Sequence, residues 1–93
     1  MLEDRDFIKS CDVPGPTKEA IRAILLYKSE VTSDDKVVDC GCGTGGLTCE
    51  FSQRARQVIS IDTNPEAIET TKRNLDKFGL GDNVTLINDD GAN

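Results

Sequence analysis

The residues best placed to do chemistry are glycines and acids rather than nucleophiles. A glycine-rich run, Gly41-Cys-Gly-Thr-Gly-Gly46, follows directly on the β-branched segment 36–40. Its Gly41-x-Gly43-x-x-Gly46 spacing is the one that joins a strand to a helix around a nucleotide. Glycine suits such a loop because the chain turns sharply and a ligand approaches the backbone closely. Asp62 stands about 20 positions further on, ending a second β-branched segment, where a carboxylate can accept from both hydroxyls of a ribose. Each feature alone is weak evidence. Strand, glycine loop, helix, strand and terminal acid in that order are strong evidence for a nucleoside site.

Asp39, just before the loop, discriminates among nucleoside ligands. In dinucleotide binders the loop and the helix behind it hold an anionic pyrophosphate. A carboxylate at the loop entrance repels that group. S-adenosylmethionine has no phosphate and carries a sulfonium and an ammonium, so an acidic entrance favours it. Asp89 and Asp90, after a third apolar segment, are candidates to accept a hydrogen bond from an adenine amino group, although Asp-Asp-Gly is also ordinary turn composition.

These residues need an α/β scaffold to bring them together. Residues 36–40, 57–62 and 84–87 are short, β-branched and strand-like. Between them, residues 47 to about 54 and the stretch after Asn64 have helical spacing. Asn64 is a good N-cap, Pro65 suits the first helical position, and Gly79 sits where a helix ends in the left-handed region. Ile68, Thr71, Leu75 and Phe78 share one face of that helix. An earlier helix follows Thr17, a plausible N-cap, and carries Ile21, Ile24, Leu25 and Lys28 on one stripe. Residues 1–16 form an arm in which Phe7, Ile8 and Val13 can dock on the body and Pro14-Gly-Pro16 forbids helix. Residues 17–93 then read as a β-α-β-α-β unit, the first half of a doubly wound parallel sheet, preceded by the arm and a helix. Such a sheet needs a second half to finish the fold.

Composition narrows the function. The 93 residues carry a formal net charge of -6, and aromatics are 4% of the chain. Phosphate neutralisation needs clustered Lys and Arg, and single-strand binding needs stacking rings, so nucleic acid is disfavoured as a partner. Lys9, Lys18 and Arg22, near the arm, can supply local positive charge, although their simplest role is a solvated face. There is no His, and Cys11, Cys40, Cys42 and Cys49 lack zinc-ligand spacing, so no metal is expected. Cys40 and Cys42 flank Gly41 and read as small reduced thiols, two of the four cysteines being core residues. No segment approaches the roughly 18 apolar residues of a membrane span, and the acidic N-terminus is no signal peptide, which points to the cytoplasm.

Together these motifs carry a family resemblance. Val37-Val-Asp-Cys-Gly-Cys-Gly-Thr-Gly-Gly46 resembles motif I of class I methyltransferases, and Ile59-Ser-Ile-Asp62 with Asn64-Pro-Glu-Ala-Ile68 resembles their motif II. In the arm, Asp6-Phe-Ile-Lys9 and Val13-Pro-Gly-Pro-Thr17 are similar to the decarboxylating cobalt-precorrin-6B methyltransferases of cobalamin biosynthesis, archaeal type. The resemblance implies a Rossmann-like class I methyltransferase fold with S-adenosylmethionine as cofactor and a tetrapyrrole substrate. The reaction it implies is carbon-15 methylation with loss of an acetate carboxyl group, in a homotetramer. It implies that Thr17 contacts the cofactor from the arm, that Gly41, Cys42, Gly43, Thr44 and Gly45 wrap its methionine end, that Asp62 holds the ribose, and that Asp90 and Gly91 lie against the adenine. No catalytic base is identified, and methylation of such a carbon does not require one. Two other readings stay open: a class I methyltransferase acting on RNA, protein or another small molecule, and a non-enzymatic or NAD-type module.

Overall fold

The computed structural model describes residues 1–9, 15 and 18–89. Three β-branched segments form a parallel sheet in the order β1 (Lys36–Cys40), β2 (Gln57–Asp62), β3 (Val84–Asn88). Parallel neighbours require crossover connections, and α2 (Gly46–Ser52) and α3 (Pro65–Lys77) supply them. Asp39 is in register with Ser60, Cys40 with Ile61, and Asp62 with Asn88. All three strands therefore end at one edge, the edge that holds the glycine loop.

The first two strands have the expected bounds. The third runs one residue beyond the expected end: Asn88 pairs in register with Asp62, and its carboxamide donates to the carbonyls of Asp62 and Thr63, each at 3.0 Å. α2 is shorter than expected: its last turn closes with Gln53 N–H on Glu50 O and Arg54 N–H on Phe51 O. α3 is capped as its sequence dictates. The Asn64 side chain accepts from Glu66 N–H at 2.9 Å, Pro65 opens the helix, and Gly79 follows at φ +69°. Alternation places Val58 and Ser60 beneath the helices, fully buried, while Val38 on the opposite face is 58% exposed.

The first helix departs from expectation. α1 spans Glu19–Ser29 with its N-cap position at Lys18, not at Thr17, which lies outside the described residues. Lys18 provides no side-chain cap. Instead Asp4, reaching over from the arm, accepts from Glu19 N–H at 3.1 Å. This hydrogen bond and the neighbouring Arg22 hold the Asp4 carboxyl below its ordinary pKa. The apolar stripe of α1 points away from the described body: Ile24 is 55% exposed. Its buried residue is Arg22, at 0% exposure, so Arg22 cannot contribute to a solvated basic face.

Glu50 of α2 explains this inversion. It too is fully buried, 3.5 Å from Arg22 Nε, and it accepts from Leu2 N–H at 2.9 Å and from Arg54 at 3.1 Å. Arg22 also donates to Asp4 Oδ1 at 2.7 Å and to the Leu2 carbonyl, and it lies over the Phe7 ring at 5.0 Å. Two buried ions are tolerable only when each is paired and hydrogen-bonded, as these are. The arm supplies partners to both: Asp4 and the Leu2 carbonyl to Arg22, and Leu2 N–H to Glu50. Phe7 then joins Cys49 and Leu75 in the core and meets Phe78 edge-on at 5.1 Å. Burying such a ring contributes about 1.5–3 kcal/mol. The docking expected of Phe7 and Ile8 is observed; Val13 and Cys11 lie outside the described residues. Among the described residues no helix is long and apolar enough to cross a membrane.

Candidate cofactor-binding site

The site begins where β1 stops. Gly41 N–H continues the ladder onto Ile61 O at 2.7 Å, so the loop leaves the sheet beside the end of β2. The chain then folds over Asp62, whose Oδ2 accepts from Gly43 N–H at 3.1 Å while Oδ1 accepts from Asn64 N–H at 2.9 Å. Sequence spacing paired the glycine loop with Asp62, and the structure joins them through this carboxylate.

Two glycines serve different ends. Gly43 sits at φ +56° with open space where a side chain would project. Absence of a side chain keeps that approach to the backbone clear. Gly45 sits at φ +96°, and a Cβ there would meet Thr71 Cγ2 at 3.0 Å. It is required by helix packing rather than by a ligand. Thr71 also donates to Gly43 O at 3.0 Å, so α3 fixes the back of the loop.

Asp39 is held by a directed chain of hydroxyls. Thr48 donates to Asp39 Oδ2 at 2.8 Å. With its proton committed there, Thr48 accepts from Ser60 at 2.6 Å. Burial raises the Asp39 pKa above its ordinary value; the Thr48 hydrogen bond opposes that shift and the Asp62 charge adds to it. Asp39 and Asp62 thus make this edge locally acidic.

This chemistry suits a cation better than a pyrophosphate. Loop amides that would cradle a phosphate have other acceptors: Gly41 and Cys42 use Ile61 O, Gly43 uses Asp62, and Gly45 uses Cys42 O. Each Asp62 oxygen accepts one backbone N–H, and a carboxylate oxygen can accept more than one hydrogen bond. A polar diol and a positive charge fit this edge. The surroundings of Cys42 disfavour its thiolate. Burial raises its thiol pKa, and the Asp62 and Asp39 charges raise it further against a hydrogen bond from Thr71. Cys49 is buried in the core and its thiol is pushed up to about 12. Cys40 is exposed.

Of the residues expected at the site, Asp39, Gly41, Cys42, Gly43, Thr44, Gly45 and Asp62 cluster at the ends of β1 and β2. Asp89 joins them through its N–H to Asp62 O at 3.0 Å. Thr17, Asp90 and Gly91 lie outside the described residues. Sequence reasoning missed Thr48 and Ser60, which position Asp39, and Asn74, whose carboxamide donates to Thr44 O at 2.9 Å. An alternating strand pattern that places a Ser beside an Asp in the next strand was the available signal for Ser60.

Comparison with known proteins agrees with this geometry. Over its whole length the chain is 75% identical to a protein of Methanobrevibacter smithii named "Probable cobalt-precorrin-6B C(15)-methyltransferase (decarboxylating)", covering 50% of that protein. The chain spans about half the length of the curated relatives it matches. The crystal structure of a precorrin-8W decarboxylase from Methanobacterium thermoautotrophicum superposes with a TM-score of 0.91 at 52% identity, over 92% of this chain and 46% of that one. A tRNA (m1A58) methyltransferase from Aquifex aeolicus shares the fold at a TM-score of 0.82 and 26% identity, over 92% of this chain and 34% of its own. The methyltransferase domain family itself matches residues 37–93. That match takes in the first strand from Val37, the glycine loop and Asp62 alike, and the chain belongs to the methyltransferase domain family.

Proposed function

We propose that this chain is the cofactor-binding half of an S-adenosylmethionine-dependent methyltransferase that methylates carbon 15 of cobalt-precorrin-6B and decarboxylates it, in cobalamin biosynthesis. The observation that carries the reading is 75% identity over all 93 residues, arm included, to a protein of that name. The acidic edge supports the choice of cofactor independently, because Asp39 and Asp62 favour a cation and a diol over a pyrophosphate. Residues 1–16 act as an arm and residues 17–93 as the cofactor-binding unit.

S-adenosylmethionine, when bound, supplies a methyl group made electrophilic by its sulfonium. The protein's task is orientation, which can account for about 7–11 kcal/mol of a barrier. In this reading Asp62 accepts from the ribose hydroxyls and thereby sets how far along the loop the nucleoside sits. Gly41, Cys42, Gly43, Thr44 and Gly45 lie along the methionine end, and the open backbone at Gly43 admits it. Asp39 faces the positive charge, and a bound cation relieves the crowding of two carboxylates. Asp90 and Gly91 lie against the adenine, and Thr17 contacts the cofactor from the arm. The substrate is a tetrapyrrole, and the enzyme works as a cytoplasmic homo-oligomer, a tetramer by family resemblance. The fold shared with a tRNA methyltransferase favours RNA as the second reading; a net charge of -6 counts against it.

Calorimetric titration of the full-length protein with S-adenosylmethionine, S-adenosylhomocysteine and NAD tests the cofactor. The first two should bind, and Asp62→Ala should weaken both by about tenfold or more, since hydrogen bonds to a charged group are worth about 1.5–3 kcal/mol. Binding of NAD alone, or of none of the three, overturns the reading. Methyl transfer to tRNA but not to a corrinoid precursor would replace the substrate and keep the cofactor.

A further inference from the structure

Asn74 is fully buried on α3, and the proposed reaction gives it no part. Its side chain joins two regions distant in sequence. Oδ1 accepts from Ile8 N–H at 2.6 Å, and Nδ2 donates to Ile8 O at 3.0 Å and to Thr44 O at 2.9 Å. One carboxamide therefore grips both polar groups of an arm residue and the carbonyl of a glycine-loop residue. One turn earlier on α3, Thr71 holds the adjacent loop carbonyl, Gly43 O.

These partners call for a carboxamide. The site needs two donors and one acceptor, which asparagine has and which neither Asp nor Leu has. A carboxylate would turn lone pairs toward Ile8 O and Thr44 O. An apolar side chain would leave three backbone groups without this partner, at the full desolvation cost of each. The carboxamide cannot flip either, since flipping would set its NH2 against Ile8 N–H. The arm is anchored on the N-terminal side of this grip as well: Leu2 N–H is held by Glu50, and Phe7 lies in the core.

We propose that Asn74 is a positioning residue that couples docking of the arm to the geometry of the glycine loop. Arm and loop share its side chain, so the carboxamide orientation that Ile8 fixes on one side is the orientation presented to Thr44 O on the other. A ligand that orders the loop therefore orders the arm, and an undocked arm loosens the loop. Naming that ligand S-adenosylmethionine rests on the function proposed above; the coupling between arm and loop does not.

Hydrogen exchange on the full-length protein tests the coupling in two ways. With S-adenosylhomocysteine as probe, exchange of the Ile8 amide should slow about tenfold in the wild type, within the usual range of coupling between sites. In Asn74→Ala and Asn74→Asp it should be fast with or without the probe, and probe affinity should fall by a similar factor. Asn83→Ala is the matched control. That carboxamide also holds two carbonyls, of Ser52 and Ala55, but next to the start of β3, at the other end of the sheet. It should lower thermal stability while leaving the arm response and probe affinity intact.

Without ligand, Phe7→Leu should speed exchange of the Gly45 amide in the wild type and add nothing in Asn74→Ala. Additive effects in that double-mutant cycle overturn the coupling, as does an Asn74→Ala protein whose arm still responds to the probe. If the wild type does not bind the probe, the cofactor assignment fails and the ligand-free cycle still decides Asn74.

Discussion

Two helices of similar length use their faces in opposite ways. α3 buries polar residues, Thr70, Thr71 and Asn74, alongside Ala67 and Leu75. α1 leaves Ile21, Ile24 and Leu25 exposed and buries an arginine. Apolar spacing marked a stripe on each. On α3 the stripe meets β3 and the core, and Thr71 within it and Asn74 beside it hold the carbonyls of Gly43 and Thr44. On α1 the residue facing the body is the one whose charge Glu50 and Asp4 can neutralise. Periodicity thus identifies which residues share a face, and the partner across the gap decides which face is buried.

The largest effect should come from the charged face of α1. Arg22→Ala leaves Glu50 buried with less compensation, and breaking such a pair costs about 3–5 kcal/mol. Denaturant unfolding measures this. If Arg22→Ala does not fold, the double variant Arg22→Met/Glu50→Leu should recover much of the loss, because removing both charges avoids an unpaired buried ion. A double variant no better than the single would show that the contacts to Asp4 and Leu2, not the Glu50 charge, hold α1.

An intermediate effect tests α3 against the loop. Gly45→Ala forces a side chain into the left-handed region, at about 1–3 kcal/mol, and brings Cβ to 3.0 Å from Thr71. Gly43→Ala shares the backbone strain but meets open space. Gly45→Ala should therefore lower the melting temperature more, and Gly43→Ala should weaken cofactor binding more for the stability it loses. Equal losses of stability would mean that α3 does not pack against the loop as described.

The smallest effect should come from the apolar stripe of α1. Ile24→Ser at an exposed position should change stability by less than about 0.5 kcal/mol. A measured loss of about 2–5 kcal/mol, the range for truncating a buried aliphatic side chain, would show that another surface covers this stripe in the full-length protein. The contrast between the helices would then be one of partner rather than of exposure.

Local signals were legible where local physics decides them. β-branched runs gave β1 and β2 their bounds, and Asn64, Pro65 and Gly79 marked both ends of α3, because caps and turns act within a few residues. The glycine loop and Asp62 could be paired from spacing alone, because a strand–loop–helix–strand path leaves little freedom in where that acid emerges. Asp39 stood out in the sequence as an acid at the loop entrance, but its support from Thr48 and Ser60 depends on strand register and on the seating of α2.

The sequence by itself determined the β-α-β-α-β order, the acids at the ends of the first two strands and the membership of the methyltransferase domain family that follows from them. Each of these is written in short motifs whose geometry is nearly independent of the rest of the chain. Tertiary structure alone decided that Arg22 and Glu50 are buried, that Asp4 serves the first amide of α1, and that Asn74 links Ile8 to Thr44. Those choices join residues separated by 15 to 66 positions. Whether a buried charge or carboxamide stabilises depends on finding all its partners at once, and no local pattern in the chain encodes that meeting.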